Sequence, residues 1–178
     1  MGAISQAQVR KFLKAADSAA TNDAKGNVFE ELVCYLFEKI PGIILPQRNI
    51  LNQSASEEID LAFFNEQHPK GLKSFNAFLL IECKNWSSAI GSADVGAFIS
   101  KLNNRGLDFG ILIAANGVTG SPEDGKQAHH QATLALSKKV QIIVITRAEI
   151  ETLTSSDELV TLIKKKVCQL IASGTVWP

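Results

Sequence analysis

Glu82-Cys83-Lys84 is the part of this 178-residue chain whose residue types and spacing could do chemistry. If the stretch is a strand, Glu82 and Lys84 point to one face while Ile81 and Cys83 point to the other. The pair follows Phe78 to Ile81, an apolar run that belongs in an interior, so its charges are costly unless paired or bound to a cation. A second acid, Asp60, points opposite to Ile59 and Leu61, and one strand register sets it beside Glu82 across a ladder. Clustered carboxylates repel unless a divalent cation lies between them, and hard oxygen donors without thiolate or imidazole favour magnesium, with manganese as a substitute. Such an ion polarises a phosphate and activates water, while Lys84 orients or helps deprotonate that water and offsets charge on the phosphorus. Phosphodiester hydrolysis is the chemistry outlined. A third acid, Glu30, shares a helical stripe with Val33, Cys34 and Phe37, whereas Glu31 lines up with Tyr35 and Glu38 on a wetter side. Glu30 is thus expected to face inward and to complete the metal site or hold a water on it.

Positioning these groups requires strands and helices in a definite order. Val9, Phe12, Leu13 and Ala16 describe a first helix behind Ser5 as N-cap, with Gln8 three positions on. After a break over 21–26, Val28 to Phe37 describe a second, more apolar helix stopped by Pro41 and Gly42. Strands are expected at 48–53, around Ile59 to Phe63, and at 78–83. The polar loop 66–76 between the last two, with Pro69 and Gly71, reads as a long hairpin connection that remodels the approach to the site. A helix through Val95, Phe98, Ile99 and Leu102 follows, then a buried strand at 109–114, a helix at 127–138, a strand at 140–145, and helices at 148–153 and 157–171. The fold class expected is α/β: a sandwich whose mixed central sheet is flanked by helices.

With 46% hydrophobic and 20% charged residues the composition is that of an ordinary globular domain, not of a disordered or fibrous chain. Eighteen basic residues balance 18 acidic ones, so any nucleic-acid contact must be a local patch. Three scattered cysteines, Cys34, Cys83 and Cys168, form no metal-binding pair and suit a reducing compartment. No apolar run approaches the roughly 18 residues that span a bilayer, and the expectation is a soluble, cytoplasmic protein. One domain over 1–178 is expected, with a core at 25–153, an N-terminal helix within 1–20 and a C-terminal helix at 157–172.

Other features carry less. Adjacent His129 and His130 diverge on a helix and have no acid at i+4, so they read as a solvated face. Lys164-Lys165-Lys166 reads the same way. Gly117-Val118-Thr119-Gly120 lacks the spacing and the lysine of a phosphate-binding loop. Trp86 is a candidate for stacking on a base or for closing the core.

Taken in order, Gly26-Asn27-Val28-Phe29-Glu30, Glu58-Ile59-Asp60, Ile81-Glu82-Cys83-Lys84-Asn85-Trp86, Gly110-Ile111-Leu112-Ile113 and Gly117-Val118-Thr119-Gly120 resemble the restriction-endonuclease-like PD-(D/E)xK superfamily in its Mrr-like branch. The resemblance runs from about Lys25 to Leu153. It implies a magnesium-dependent DNA endonuclease with a mixed four-stranded core sheet, Asp60 and Glu82 as metal ligands, Lys84 as the catalytic lysine and Glu30 as the supporting helix acid. The same geometry implies that the helix carrying Lys101 and Arg105 lies near the substrate groove, which makes these two the phosphate-contact candidates. DNA is the implied partner, with a homodimer or a fused regulatory domain where both strands are cut, and a role in restriction or defence follows by analogy. Asp60 follows Glu58-Ile59 rather than a proline, and the balanced charge is unusual for a free-standing nuclease. Two alternatives stay open: a catalytically silent nucleic-acid-binding or assembly module of the same fold, and a nuclease on RNA or single strands that requires a partner.

Overall fold

Side-chain caps start the first two helices. Ser5 accepts the Gln8 N–H to open α1 (Gln6–Ser18), and Thr21 accepts the Ala24 N–H to open α2 (Asn22–Phe37). The break expected over 21–26 is therefore a single capping residue. Gly26 lies inside α2, where a side chain would meet open space. The computed structural model describes residues 2–52, 57–84, 90–115 and 122–174. Within them follow β1 (Ile43–Leu51), β2 (Glu58–Asn65), β3 (Phe78–Lys84), α3 (Ser92–Asn103), β4 (Phe109–Ala114), α4 (Pro122–Ser137), β5 (Gln141–Thr146), α5 (Arg147–Thr152) and α6 (Ser156–Ser173).

The five strands form one sheet in the order β1-β2-β3-β4-β5. The first three are antiparallel and the last three parallel, so the sheet is mixed and β3 is the strand where the direction rule changes. β1 starts five residues earlier than expected and adds an edge strand to the four implied by the family likeness. Its register shifts between Ile44 and Gln47, around Pro46, which an edge strand tolerates at a bulge because no ladder N–H is required there. α4 likewise starts earlier than expected, with Pro122 as its first residue, a position where the missing N–H costs nothing.

The side chains of β2 alternate: Ile59, Leu61 and Phe63 are buried, while Asp60, Ala62 and Phe64 are half-buried on the opposite face. Phe63 stacks on Phe37 of α2 at 5.6 Å, so α2 covers the face opposite to Asp60. On the Asp60 face α3 comes so close that a Cβ on Gly110 would lie 2.7 Å from Phe98 and 2.8 Å from Leu102. Phe98 and Leu102 are fully buried by that approach, each contributing roughly 1.5–3 kcal/mol. α4 packs beside α3, and α6 packs against β5 and α2.

The loop 66–77 is a correction to the sequence reading. Phe64 and Phe78 are the last ladder pair before it, so it lies at the end of the hairpin away from Asp60 and Glu82 and does not shape their approach. It is held instead by buried Asn65, whose side-chain amide donates to the carbonyls of Leu72 and Asn76. A second correction concerns Lys166, which is buried and ion-paired with Glu149 at 2.7 Å rather than solvated. His130 is exposed, as expected. The segment 117–120 lies outside the described residues. No helix among the described residues is long and apolar enough to cross a membrane.

Candidate active site

The β2–β3 ladder sets Leu61 opposite Ile81. One step further along, Asp60 and Glu82 share the α3 face of the sheet, and Lys84 follows on that face from β3. The ladder ends there because the Asp60 carboxylate takes over as acceptor: its Oδ2 receives the Cys83 backbone N–H at 2.7 Å. Glu82 is 4% exposed and has a cation on each oxygen, Lys84 Nζ at 2.9 Å from Oε1 and Lys101 Nζ at 2.6 Å from Oε2. Two carboxylates and two ammonium groups therefore meet at the C-terminal end of β3.

Electrostatics distinguish these groups. Burial, and next the negative charge of Glu82, push Asp60 up to about 6, against the pull of the Cys83 N–H and of the two lysines. Burial alone would lower Lys84, but the charge and hydrogen bond of Glu82 outweigh it and hold Lys84 above the ordinary lysine value. Lys84 is thus a fixed cation and a donor, suited to orient a water or a phosphate oxygen rather than to take a proton from it.

Glu30 is placed elsewhere. It is 8% exposed on α2, on the other face of the sheet, and pairs with Arg48 of β1 at 3.3 Å. Arg48 also donates to the Asn27 carbonyl at 2.9 Å and lies 3.6 Å from Glu31. Burial raises Glu30 above its ordinary value in spite of Arg48. The two faces meet at Cys83, whose thiol is pushed well up by burial and by the charges of Asp60, Glu30 and Glu82. The structure brings Asp60, Glu82 and Lys84 together and leaves Glu30 beside them across the sheet.

The sequence reading placed Lys101 and Arg105, at the end of α3, near the substrate groove but missed their pairing with Glu82 and Glu57. Asp94, Phe98, Lys101 and Arg105 recur at i, i+4, i+7 and i+11, one stripe of this helix and the turn after it. Phe98 anchors the stripe in the core, and its charges face the site in order. Asp94, which caps the helix by accepting the Gly91 N–H at 3.1 Å, adds its charge to the field on Lys84. Lys101 holds Glu82. Arg105 holds Glu57, just ahead of β2, with Asn104 donating to the same carboxylate at 3.1 Å. That stripe was legible in the heptad-like spacing, but its partners were not, because they depend on how α3 docks on β4. Beyond Ala62 and Leu80, the next residues on the face of the acids, a cleft of about 640 Å³ opens between Leu51 and Asn52 at the end of β1 and Arg105. Trp86 lies outside the described residues.

The donor set suits a hard divalent cation. Among the described residues no three acids, histidines or cysteines converge, but magnesium commonly takes one or two carboxylates and fills its octahedron with water and phosphate oxygens. Lys101 is bonded to Glu82, and its charge also pulls Asp60 down against burial.

With this geometry, the family comparison is decisive. The Mrr_cat family, described as restriction endonuclease, matches residues 21–154. The chain belongs to this restriction endonuclease family. DNA is the substrate class of such enzymes, and the fold is their α/β sandwich with a mixed sheet between helices. Among solved structures, the small subunit (R.BspD6I2) of the heterodimeric restriction endonuclease R.BspD6I is similar at 17% identity and a TM-score of 0.47, over 97% of this chain and 82% of that one. No curated protein matches the chain.

Proposed function

We propose that this restriction endonuclease family member is a magnesium-dependent endonuclease that hydrolyses phosphodiester bonds of DNA at Asp60, Glu82 and Lys84. The observation that carries this reading is the meeting of two carboxylates and a charged lysine on one face at the end of β3, beside an open cleft. Asp60 and Glu82 would hold the ion, with manganese able to replace magnesium. When bound, the ion supplies Lewis-acid polarisation of the phosphate and a more acidic water. Lys84 orients the attacking water and neutralises charge that builds on the phosphate oxygens. The water oxygen bonds to phosphorus as the bond to the 3′ oxygen breaks, leaving a 5′-phosphate and a 3′-hydroxyl. Glu30, through Arg48 and the Cys83 end of β3, supports the site from the other face. Lys101 and Arg105 are the proposed phosphate contacts once free of Glu82 and Glu57, and Trp86 is the proposed contact to a base or strand.

The family match over 21–154 supports reading 25–153 as the nuclease core of one domain, flanked by the helices within 1–20 and at 157–172. One site breaks one strand, so cutting a duplex calls for two copies or a regulatory partner. A cytoplasmic role in restriction or defence fits this chemistry. A silent DNA-binding or assembly module is favoured by one observation, that both oxygens of Glu82 are already neutralised by lysines.

Nicking and linearisation of supercoiled plasmid with magnesium, manganese or EDTA, alongside RNA and single-stranded DNA of the same sequence, tests the reading. Metal-dependent cutting of the duplex is expected. Cutting that survives EDTA contradicts metal dependence, preference for RNA or single strands contradicts the substrate, and DNA binding without cutting of any substrate favours the silent module.

A further inference from the structure

We propose that Lys101 is a placeholder for the metal: its ammonium occupies the cation position at Glu82 in the metal-free protein and is displaced when a divalent ion binds. The inference rests on the reading of Asp60 and Glu82 as a metal centre and adds what keeps that centre intact when empty.

Glu82 is almost fully buried, and a buried carboxylate without a counter-charge is costly. Lys84 meets Oε1 at 2.9 Å. The remaining oxygen, Oε2, is taken by Lys101 at 2.6 Å, the shorter of the two contacts. An ion coordinated by Glu82 and Asp60 would have to share this small region with the Lys101 ammonium, and two like charges at such separations repel strongly in a partly dry site.

The two lysines are not equivalent in their freedom to yield. Lys84 leaves the same strand two residues from Glu82, so the backbone fixes where its side chain starts. Lys101 reaches in from the last turn of α3, a separate element, on a long stem. It also has somewhere to go: the cleft beyond Ala62 and Leu80, lined by Glu57, whose carboxylate feels the Lys101 charge but is already held by Arg105. Metal loading would thus turn one lysine from a structural counter-ion into a free cation at the groove, so that the phosphate contact exists only when the ion does.

Competition between a protein cation and a metal predicts an unusual sign for a conservative change: removing a functional lysine should improve metal binding. The test is titration of the full chain with manganese alone, free ion being read by electron paramagnetic resonance, for the wild type, Lys101→Met, Lys101→Gln and Lys101→Arg. The two neutral variants are expected to bind manganese about tenfold or more tightly than the wild type, and the charge-retaining arginine variant is not. Equal or weaker binding by both neutral variants, with melting curves that show them folded, overturns the placeholder role. Asp60→Asn and Glu82→Gln are measured beside them. Manganese binding that these two leave untouched in every background overturns the metal-centre reading itself, and the placeholder role falls with it.

Discussion

The Asp60 carboxylate accepts the Cys83 backbone N–H at 2.7 Å, one step past the last pair of the β2–β3 ladder, Leu61 and Ile81. The acid that faces Glu82 therefore also closes the sheet at the site. Asp60→Ala is expected to abolish cleavage and to cost about 1–3 kcal/mol, because it strands a donor in a largely buried place. At about pH 4, where the wild-type acid is protonated in the fold, Asp60→Asn keeps an acceptor and should change stability by under about 1 kcal/mol, while cleavage at neutral pH is lost. Urea denaturation and plasmid nicking on the same preparations check this, and equal stabilities for the two variants would contradict it.

Acidity should report the same group. Asp60 is raised to about 6 by burial and by Glu82, whereas an unfolded carboxyl titrates near about 4. The folded protein holds the extra proton across that window, so the stability Asp60 contributes is present below about pH 4 and lost as pH rises through about 6. Without metal, the wild type is expected to lose on the order of 1–3 kcal/mol relative to Asp60→Asn between about pH 4 and about pH 7. The difference between the two denaturation curves isolates Asp60 from Glu30, which shifts in the same direction. A pH-independent difference would show that Asp60 is not raised.

The pairing of Glu30 with Arg48 carries its own expectation. Arg48→Met leaves a carboxylate that is 10% exposed without its cation, at a cost of about 2–4 kcal/mol. Adding Glu30→Gln should recover part of that loss, and a double-mutant cycle should give a coupling above about 1 kcal/mol. Additive effects would mean that the two side chains do not support one another.

Two glycines should respond in opposite ways. Gly110→Ala drives a methyl group into Phe98 and Leu102 and is expected to cost about 1–3 kcal/mol. It should also weaken cleavage, because the helix it displaces carries Lys101. Gly26→Ala, in α2 with open space around it, should stabilise by about 0.5–1 kcal/mol. Thermal melts of both variants check the pair, and a neutral Gly110→Ala would show that α3 can move without cost.

Much of the site was legible because strand alternation is local. A period of two sets Glu82 and Lys84 on one face, and the burial pattern around Ile59 and Leu61 sets Asp60 toward the same side. The inward turn of Glu30 was legible for the same reason, from a period of 3.6. Its partner was not: Arg48 reaches it only after the register shift around Pro46, and a bulge leaves no periodic trace. Glycine misled at Gly26, which looked like a break because helix propensity was weighed there without the Thr21 cap. Lys166 looked solvated beside Lys164 and Lys165, yet one residue along a helix turns the side chain by about 100°, here into the contact with Glu149. The grip of Lys101 on Glu82 depends on how close α3 lies to β4, which Gly110 permits but no spacing in α3 announces.

Cleavage of supercoiled plasmid by the wild type, Asp60→Asn, Glu82→Gln and Lys84→Met, with magnesium and with EDTA, addresses the nuclease site most directly. The wild type should nick or linearise the plasmid only with the metal present, and all three folded variants should fall by about a hundredfold or more. Cutting at the wild-type rate by the three variants would contradict the assignment of chemistry to this end of β3.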